Sequence, residues 1–354
     1  MTLEESVFMG KILVIDKPRH ITYETYEEKK LENNEVRIQT LFSGISAGTQ
    51  LTLYKGVNPF INKTFNSSLR ILENAPEGYS IYPAKGCWGY EEVGIVIEIG
   101  EAVSSVKTGD IVYGVWSHAS TTIKPEEYVK DRILPKELDP IAGIYSQMGS
   151  VALNAILDSD IHIGETVAVF GQGVPGQIVM QLAKASGAKV IVVDVNDWRL
   201  SFSKKLGANY TINPIKCDAA KTIKEITNGR GADVSIEISG SDLALHEAVR
   251  ATCYNGRVVC SGFIQGGAGR LMLGEEFHHN RIQIVSSQIE NVSPSLSNRW
   301  NRIRMEKTIM DLAVSGKINL KDLITHIVPF EEAASAYEML DKGTENCMQV
   351  VLKF

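Results

Sequence analysis

A chain of 354 residues is longer than one hydrophobic core usually serves, so about two domains are expected. The formal net charge of −6 argues against non-specific binding to nucleic acid, and no apolar stretch is long enough to span a bilayer. The five cysteines form no Cys-x-x-Cys pair and the acidic N-terminus lacks a signal peptide's apolar region, so we expect a protein of the reducing cytoplasm.

The first part of the chain alternates apolar and polar residues in the manner of β-strands. Strands are predicted over 11–15, 35–43, 93–99 and 111–116, and turns that contain Gly and Asp connect them. Short strands joined in this way are typical of an antiparallel, barrel-like β domain. The segment 60–82 is mostly polar, and we expect it to be a surface excursion.

From residue 165 onward, predicted strands and helices alternate, which indicates a parallel sheet. Further strands are predicted at 233–237, 256–262 and 281–286. A closing strand over 348–354 has no helix after it, so we expect it to return to the β domain. The predicted domains are therefore a first catalytic segment (1–155), a nucleotide-binding domain (156–292) and a C-terminal return to the catalytic domain (293–354).

The segment 165–194 contains a strand, a glycine-rich turn, a helix and a second strand that ends on Asp194. In a Gly-x-Gly-x-x-Gly turn, the glycines permit a tight turn, close approach to a pyrophosphate and close helix packing, and the helix N-terminus attracts phosphate. A carboxylate at Asp194 suits the ribose hydroxyls of NAD, whereas Arg199 could favour NADP; NAD is the predicted cofactor. The predicted cofactor contacts are Gly171, Gln172, Gly173, Val174, Pro175, Gly176, Asp194, Arg199, Ser239 and Gly262.

The order of motifs resembles the medium-chain dehydrogenase/reductase superfamily, which includes alcohol and sorbitol dehydrogenases. The resemblance covers nearly the whole chain and implies an α/β fold. A GroES-like β-barrel catalytic domain would be interrupted by a Rossmann domain, with the active site in the cleft between them. It also implies a homodimer or homotetramer in which the edge strand 281–286 pairs across a two-fold axis. Besides the glycine turn, the motifs are SGISAGT (43–49), GYEEVG (89–94), GDIV (109–112), KLGA (205–208), GAD (231–233), GRVV (256–259), GKI (316–318) and ITH (324–326).

The chain departs from the zinc-containing members of that superfamily at the metal-ligand positions. Where those members have Cys, His, and a Cys or Glu, this chain has Ser46, Tyr90 and Gln147, and only Glu91 keeps the family identity. Hydroxyls and an amide are poor zinc ligands. The segment 100–128 contains no Cys, so the four-cysteine loop of a structural zinc is missing too. The resemblance is therefore to a zinc-free member of the zinc-type branch.

Without zinc, side chains must take the proton of a substrate hydroxyl and stabilise the developing charge. His118 follows a predicted strand, and an ordinary histidine pKa of ~6.5 suits acid–base work. Tyr90 could donate a hydrogen bond to a carbonyl oxygen, and a lysine nearby (Lys55 or Lys85) would lower its pKa. Glu91 could orient Tyr90 or a water. An ordinary structural role stays open as the alternative for each.

Ser46 and Thr49 could hydrogen-bond a substrate hydroxyl, and Trp88 and Asn154 are pocket residues by family position. This polar set suits a small molecule with several hydroxyl groups. The predicted function is NAD-dependent, zinc-independent oxidation of a secondary alcohol of a polyol, sugar or cyclitol. Three alternatives stay open: a redox-neutral sugar-modifying enzyme with tightly bound NAD, an enoyl- or quinone-type reductase, and a non-catalytic dinucleotide-binding protein. No nucleic-acid or membrane partner is predicted.

Overall fold

The computed structural model describes residues 8–85, 89–343 and 346–354. The chain forms two compact units. The β unit comprises the chain up to Ile144 together with Ile324–Phe354, and the α/β unit comprises Tyr145–Leu323. Within the described residues, no helix has both the length and the apolar composition needed to cross a membrane.

The strands follow one another along the whole chain, and most helices lie in its second half. The strands are β1 (Met9–Lys17), β2 (His20–Glu27), β3 (Glu35–Ile45), β4 (Lys63–Asn66), β5 (Ile71–Asn74), β6 (Ala84–Lys85), β7 (Glu92–Ile99), β8 (Ile111–Gly114), β9 (Thr121–Pro125), β10 (Thr166–Phe170), β11 (Lys189–Val193), β12 (Tyr210–Ile212), β13 (Ala232–Glu237), β14 (Thr252–Cys260), β15 (Gln283–Ser286), β16 (Ile324–Pro329) and β17 (Gln349–Lys353).

The α-helices are α1 (Ala47–Lys55), α2 (Glu126–Val129), α3 (Tyr145–Ser159), α4 (Val174–Ala185), α5 (Asp197–Lys205), α6 (Ala219–Ile226), α7 (Asp242–Ala251), α8 (Arg302–Val314) and α9 (Ala333–Asp341). Short 3-10 turns form at Pro59–Ile61, Pro140–Ile144, Pro294–Leu296, Lys321–Leu323 and Phe330–Glu332, and a π-helical turn forms at Leu273–Phe277.

Strand β3 is the centre of the β unit. It pairs antiparallel with β7, β9 and β17, in a sheet of order β16-β17-β3-β7-β8, and a second sheet has the order β2-β1-β6. Val36 and Ile38 of β3 pack against Val96, Val112 and Trp116. The C-terminal end of β3 is followed directly by Ser46 and α1, so the sheet fixes where that helix begins.

The α/β unit is built on a parallel sheet of order β12-β11-β10-β13-β14-β15. Numbered within this unit, the order is 3-2-1-4-5-6, which is the arrangement of the Rossmann fold, with its switch point between β10 and β13. The segments 167–170 and 190–193 are fully buried, as continuous apolar runs in a parallel sheet should be. The predicted alternation of strand and helix is confirmed.

Several elements differ from the sequence prediction. The predicted surface excursion contains the hairpin β4–β5. Strand β2 was not predicted, because none of its side chains is buried and most of them are polar. As predicted, the closing strand β17 returns to the β unit, where it pairs with β3. The units divide after Ile144 and after Leu323, rather than at the predicted 155/156 and 292/293, since α3 packs on α4 and α8.

Candidate active site

Two short segments of the β unit meet at the N-terminus of α1. Ser46 is the residue before the helix, Thr49 lies in its first turn, and Tyr90 and Glu91 directly precede β7. The Tyr90 hydroxyl is hydrogen-bonded to the side chains of Ser46 and Thr49. The structure therefore brings together four of the residues that the sequence predicts as catalytic.

Glu91 is completely buried in a space that Gly44 leaves free. A Cβ atom on Gly44 would overlap Oε2 of the Glu91 carboxylate. Neither carboxylate oxygen has a hydrogen bond of ordinary geometry. Burial raises the pKa of Glu91 to about 8, while the nearby Ser46 hydroxyl and Gln349 amide act in the opposite direction. A carboxyl group with this pKa can accept or release a proton near neutral pH.

Tyr90 is a hydrogen-bond donor rather than a base. Burial and the neighbouring Glu91 raise its pKa, so the phenol keeps its proton. The expectation that Lys55 or Lys85 lowers this pKa is wrong, because Lys55 pairs with Asp341 and Lys85 pairs with Glu24, each at 2.9 Å. The lysine amines are thus engaged with surface carboxylates.

His118, predicted as an acid–base group, lies inside a different hydrogen-bonded set. Its Nδ1 is 2.5 Å from Oγ of Ser43 and its Nε2 is 2.9 Å from Oε1 of Gln50. The side chain is buried, and burial lowers the pKa of His118 to about 4. Both ring nitrogens are committed within the β unit, so His118 supports its neighbours in this structure.

Trp88 and Asn154 are the two predicted pocket residues, and the structure describes only Asn154. Trp88 lies outside the described residues. Asn154 is buried on α3 of the α/β unit, where its Nδ2 donates to Ser287 Oγ and to the Gln288 carbonyl oxygen, each at 3.2 Å. The Asn154 amide therefore ties α3 to the segment after β15. Among the described residues, no group of three His, Cys, Asp or Glu side chains could hold a metal ion.

Sequence reasoning missed several buried polar residues of the β unit. Ser43 follows Leu41 and Phe42 in β3, and Glu92 directly precedes the apolar run of β7. A polar residue next to apolar strand positions was the available signal. Gln50 and Tyr337 lie on α1 and α9, and nothing local distinguishes them from surface residues. All four side chains are inaccessible to solvent.

In the α/β unit, the predicted glycine turn follows β10. Gly171 has φ +100°, a conformation that favours glycine, and a Cβ atom on Gly176 would overlap the carbonyl oxygen of Gly171. A Cβ atom on Gly173 would meet only Pro175 Cδ, at 3.9 Å. No side chain caps the first turn of α4, so its N–H groups are available to a phosphate.

Asp194 follows β11 and lies against this turn. Its Oδ2 accepts a hydrogen bond from the Gln172 backbone N–H at 2.6 Å, and its Oδ1 accepts one from the Asn196 N–H at 2.8 Å. Each oxygen keeps capacity for a further hydrogen bond. The carboxylate is thereby held in place at the carboxyl end of β11, where a ribose would bind.

The remaining predicted cofactor contacts lie beyond the ends of neighbouring strands. Ser239 follows β13, and its Oγ donates to Glu237 Oε1 at 2.5 Å. Gly262 follows β14, where a Cβ atom would overlap the backbone nitrogen of Gly240. Arg199 lies on α5, and its Nε is buried without a hydrogen-bond partner. The carboxyl ends of β10, β11, β13 and β14 lie at one edge of the sheet, which is where open α/β sheets bind ligands.

Comparisons with known proteins agree with this architecture. Residues 175–304 match the family model described as zinc-binding dehydrogenase. The chain is 32% identical over 351 residues to D-guloside 3-dehydrogenase of Escherichia coli K12 (97% of this chain, 100% of the relative), and 30% identical over 313 residues to D-xylulose reductase A of Aspergillus niger (78% and 83%). A crystal structure of an Escherichia coli oxidoreductase/dehydrogenase of unknown specificity matches with a TM-score of 0.80 at 20% identity, covering 98% of this chain and 99% of that one.

The predicted fold class, a GroES-like β-barrel domain with a Rossmann domain, is confirmed by the sheet topology and by the solved relative. The similarity to D-guloside 3-dehydrogenase extends over that relative's full length. The chain therefore belongs to the zinc-binding dehydrogenase family of oxidoreductases.

Proposed function

We propose that this protein is an NAD-dependent dehydrogenase that oxidises a secondary alcohol of a sugar, polyol or cyclitol without zinc. The observation that carries the proposal is the buried Glu91 carboxyl beside Ser46 and Tyr90. The names of the two relatives, a guloside dehydrogenase and a xylulose reductase, support a carbohydrate substrate. A hydroxyl group on a sugar ring, as in a glycoside, is the substrate that we favour.

The residues at the metal positions do not fit zinc. Zinc in such sites prefers thiolate, imidazole and carboxylate ligands. Ser46 offers a neutral hydroxyl, and Tyr90 offers a phenol whose raised pKa keeps it protonated. Glu91 is thus the one residue of this cluster that could provide an anionic ligand, and a single carboxylate is a poor zinc site. We therefore assign the proton chemistry to side chains.

Ser46 connects the phenol to the carboxylate. Its hydroxyl is hydrogen-bonded to Tyr90 and lies beside Glu91. We propose that Ser46 passes its own proton to the ionised Glu91 as it receives the proton of the substrate hydroxyl. The Tyr90 phenol then donates a hydrogen bond to the oxygen that becomes the carbonyl. Bound NAD supplies the acceptor for the hydride that leaves the same carbon.

The preference for NAD rests on Asp194. Its carboxylate is held by two backbone N–H groups and carries a negative charge at the ribose position. That charge would repel the 2′-phosphate of NADP. Arg199 follows on α5 and is the residue that could offset this repulsion.

We also propose that the protein is a homodimer or homotetramer that forms through β15. This strand pairs with β14 on one side, and no strand among the described residues pairs with its other side. An unpaired parallel edge is a ready template for another copy. Light scattering at micromolar concentration should give at least twice the monomer mass of 38.9 kDa, and a monomer would contradict the proposal.

The function is tested by following the absorbance of NADH while NAD is offered with glycosides, free sugars, polyols, cyclitols and sugar phosphates. Each reaction is run with and without a strong chelator, and the zinc content of the protein is measured in parallel. We expect turnover that survives chelation and is faster with NAD than with NADP. Activity that chelation abolishes and zinc restores would refute the zinc-free assignment. Bound NAD without turnover would point to redox-neutral chemistry or a non-catalytic role.

A further inference from the structure

A continuous series of hydrogen-bonded polar side chains is buried in the β unit next to the candidate active site. Oε1 of Glu92 lies 2.8 Å from Ser43 Oγ, which lies 2.5 Å from Nδ1 of His118. Nε2 of the same ring lies 2.9 Å from Oε1 of Gln50, and the Tyr337 hydroxyl lies 2.6 Å from that oxygen. These side chains are 0–3% exposed, so the hydrogen-bonded series is closed to solvent.

The number of protons that this hydrogen-bonded series holds follows from its geometry. The Tyr337 hydroxyl lies 2.6 Å from Oε1 of Gln50 and 3.3 Å from Nε2 of His118, and we assign its single proton to the shorter contact. The Gln50 amide oxygen can only accept, so it also takes the hydrogen bond of the His118 Nε2–H. If the ring is neutral, its Nδ1 must accept the single proton of Ser43. The Ser43 oxygen must then accept from Glu92, which requires a protonated carboxyl.

A second arrangement satisfies the same distances. If the His118 ring carries both protons, its Nδ1–H donates to Ser43, and Ser43 donates to an ionised Glu92. The two arrangements hold the same number of protons, and they differ only in the side of Ser43 on which the shared proton lies. In both of them the pair carries no net charge.

We infer that Glu92 and His118 hold one shared proton across Ser43, so that this buried pair is neutral while Glu91 alone changes its charge during turnover. The role given to Glu91 rests on the proposed function, whereas the proton count rests on the hydrogen bonds. Burial raises the pKa of Glu92 well above its usual range and lowers that of His118, which favours the arrangement with the proton on Glu92.

The groups around the pair make its charge important. Glu91 is adjacent to Glu92 in the sequence and interacts with it electrostatically. The amine of Lys124 and the phenols of Tyr90 and Tyr337 interact electrostatically with Glu92 as well. Among the described residues, these are the ionisable groups outside the pair that interact with Glu92. A net negative charge on the pair would oppose ionisation of Glu91 and remove the base from neutral pH. A neutral pair avoids that repulsion.

The hydrogen-bonded series also holds the candidate site in position. Its hydrogen bonds link β3, β7 and the loop at His118 to α1 and α9. Helix α1 carries Thr49 and directly follows Ser46. The loop is close-packed, because a Cβ atom on Gly89 would lie 2.5 Å from the His118 backbone nitrogen and 2.7 Å from Glu92 Oε1. Ser43, Glu92 and His118 are therefore positioning residues in this proposal.

The proton count is tested without any activity, by NMR of the full protein labelled with nitrogen-15 in its seven histidines. The His118 signals are assigned by their absence in His118→Gln, or, where that variant does not fold, by their invariance between pH 6 and 8. We expect either the neutral Nε2–H tautomer or an imidazolium at pH 7. A neutral Nδ1–H tautomer would place an ionised Glu92 beside a neutral ring and overturn the proposal.

A second experiment measures the pH dependence of kcat/KM in Glu92→Gln, with Glu98→Gln on the same strand as the control. The amide introduced by Glu92→Gln would retain a donor for Ser43 and an acceptor for the Trp116 N–H, which now donates to Glu92 at 3.0 Å. We expect the apparent pKa of Glu91 to stay within about 0.3 of its wild-type value in both variants. A fall of about one unit or more in Glu92→Gln alone would show that the Glu92–His118 pair carries a net negative charge, and would overturn the proposal. If the protein has no activity, the proposed function fails while the NMR result still decides the proton count.

Discussion

The glycine turn of the α/β unit and the carboxylate cluster of the β unit are built in opposite ways. Backbone forms the first: Gly171, Gly173 and Gly176 leave space, and the uncapped N-terminus of α4 provides N–H donors. Side chains form the second: Ser46 lies between β3 and α1, Glu91 directly precedes β7, and both are buried. A backbone site is therefore sensitive to added atoms, and a buried side-chain site is sensitive to changed charge. Variants of each kind test this difference.

The largest effect is expected from Glu91→Gln in the side-chain site. Gln has nearly the same shape but cannot accept the substrate proton, so kcat should fall by about 10²–10⁴-fold, as for loss of a general base. The fold should persist, since no hydrogen bond of ordinary geometry is removed. Steady-state kinetics measure the effect, and Glu98→Gln, at a half-exposed position near the end of β7, is the control. A kcat within threefold of wild type would remove Glu91 from the mechanism.

Gly173→Ala and Gly176→Ala probe the backbone site. A methyl group at 173 fits the protein but would meet the pyrophosphate, so NAD should bind about tenfold or more weakly, with an unchanged Tm. At 176 the same methyl group overlaps Gly171, so both binding and Tm should fall. Calorimetry measures both quantities, with Gly267→Ala, where nothing lies within 4 Å, as the control. Equal NAD affinity in Gly173→Ala and wild type would show that the pyrophosphate does not approach this glycine.

Asp194→Asn removes a charge at the edge of the backbone site. The ratio of kcat/KM for NAD to that for NADP should fall by about tenfold, because the repulsion of the 2′-phosphate is lost. Some loss of Tm is also expected, since one of the two backbone N–H groups loses its acceptor and the other keeps only a neutral one. Asp197→Asn, an exposed residue paired with Lys216, is the matched control. An unchanged cofactor ratio would assign NAD preference elsewhere.

The last comparison concerns the pH dependence of stability. The pKa of Glu91 is about 8 in the folded protein and ~4.3 in the unfolded chain, so the folded state binds the proton more tightly. Its contribution to stability is complete below about pH 4 and is lost as the pH rises through 8. Between pH 6 and 9 the Tm of wild type should therefore decline more steeply than that of Glu91→Gln. Parallel slopes in thermal unfolding scans would mean that Glu91 is ionised throughout this range.

The sequence by itself determined the glycine turn of the α/β unit. This turn, Pro175 and Asp194 lie within one strand–turn–helix–strand unit, so their conformation depends on local backbone geometry. The sequence also identified Ser46, Thr49, Tyr90 and Glu91 through the resemblance to zinc-containing relatives, and the structure places them together.

Only the tertiary structure decided the state of the buried groups. His118 has an ordinary pKa as an isolated side chain, and burial between Ser43 and Gln50 removes it from the acid–base range. Glu91 acquires a pKa near neutrality only because Gly44 and the surrounding sheet exclude water from it. The physical reason is that desolvation and hydrogen-bond partners depend on segments far apart in the chain, whereas the conformation of a glycine turn depends on the residues within it.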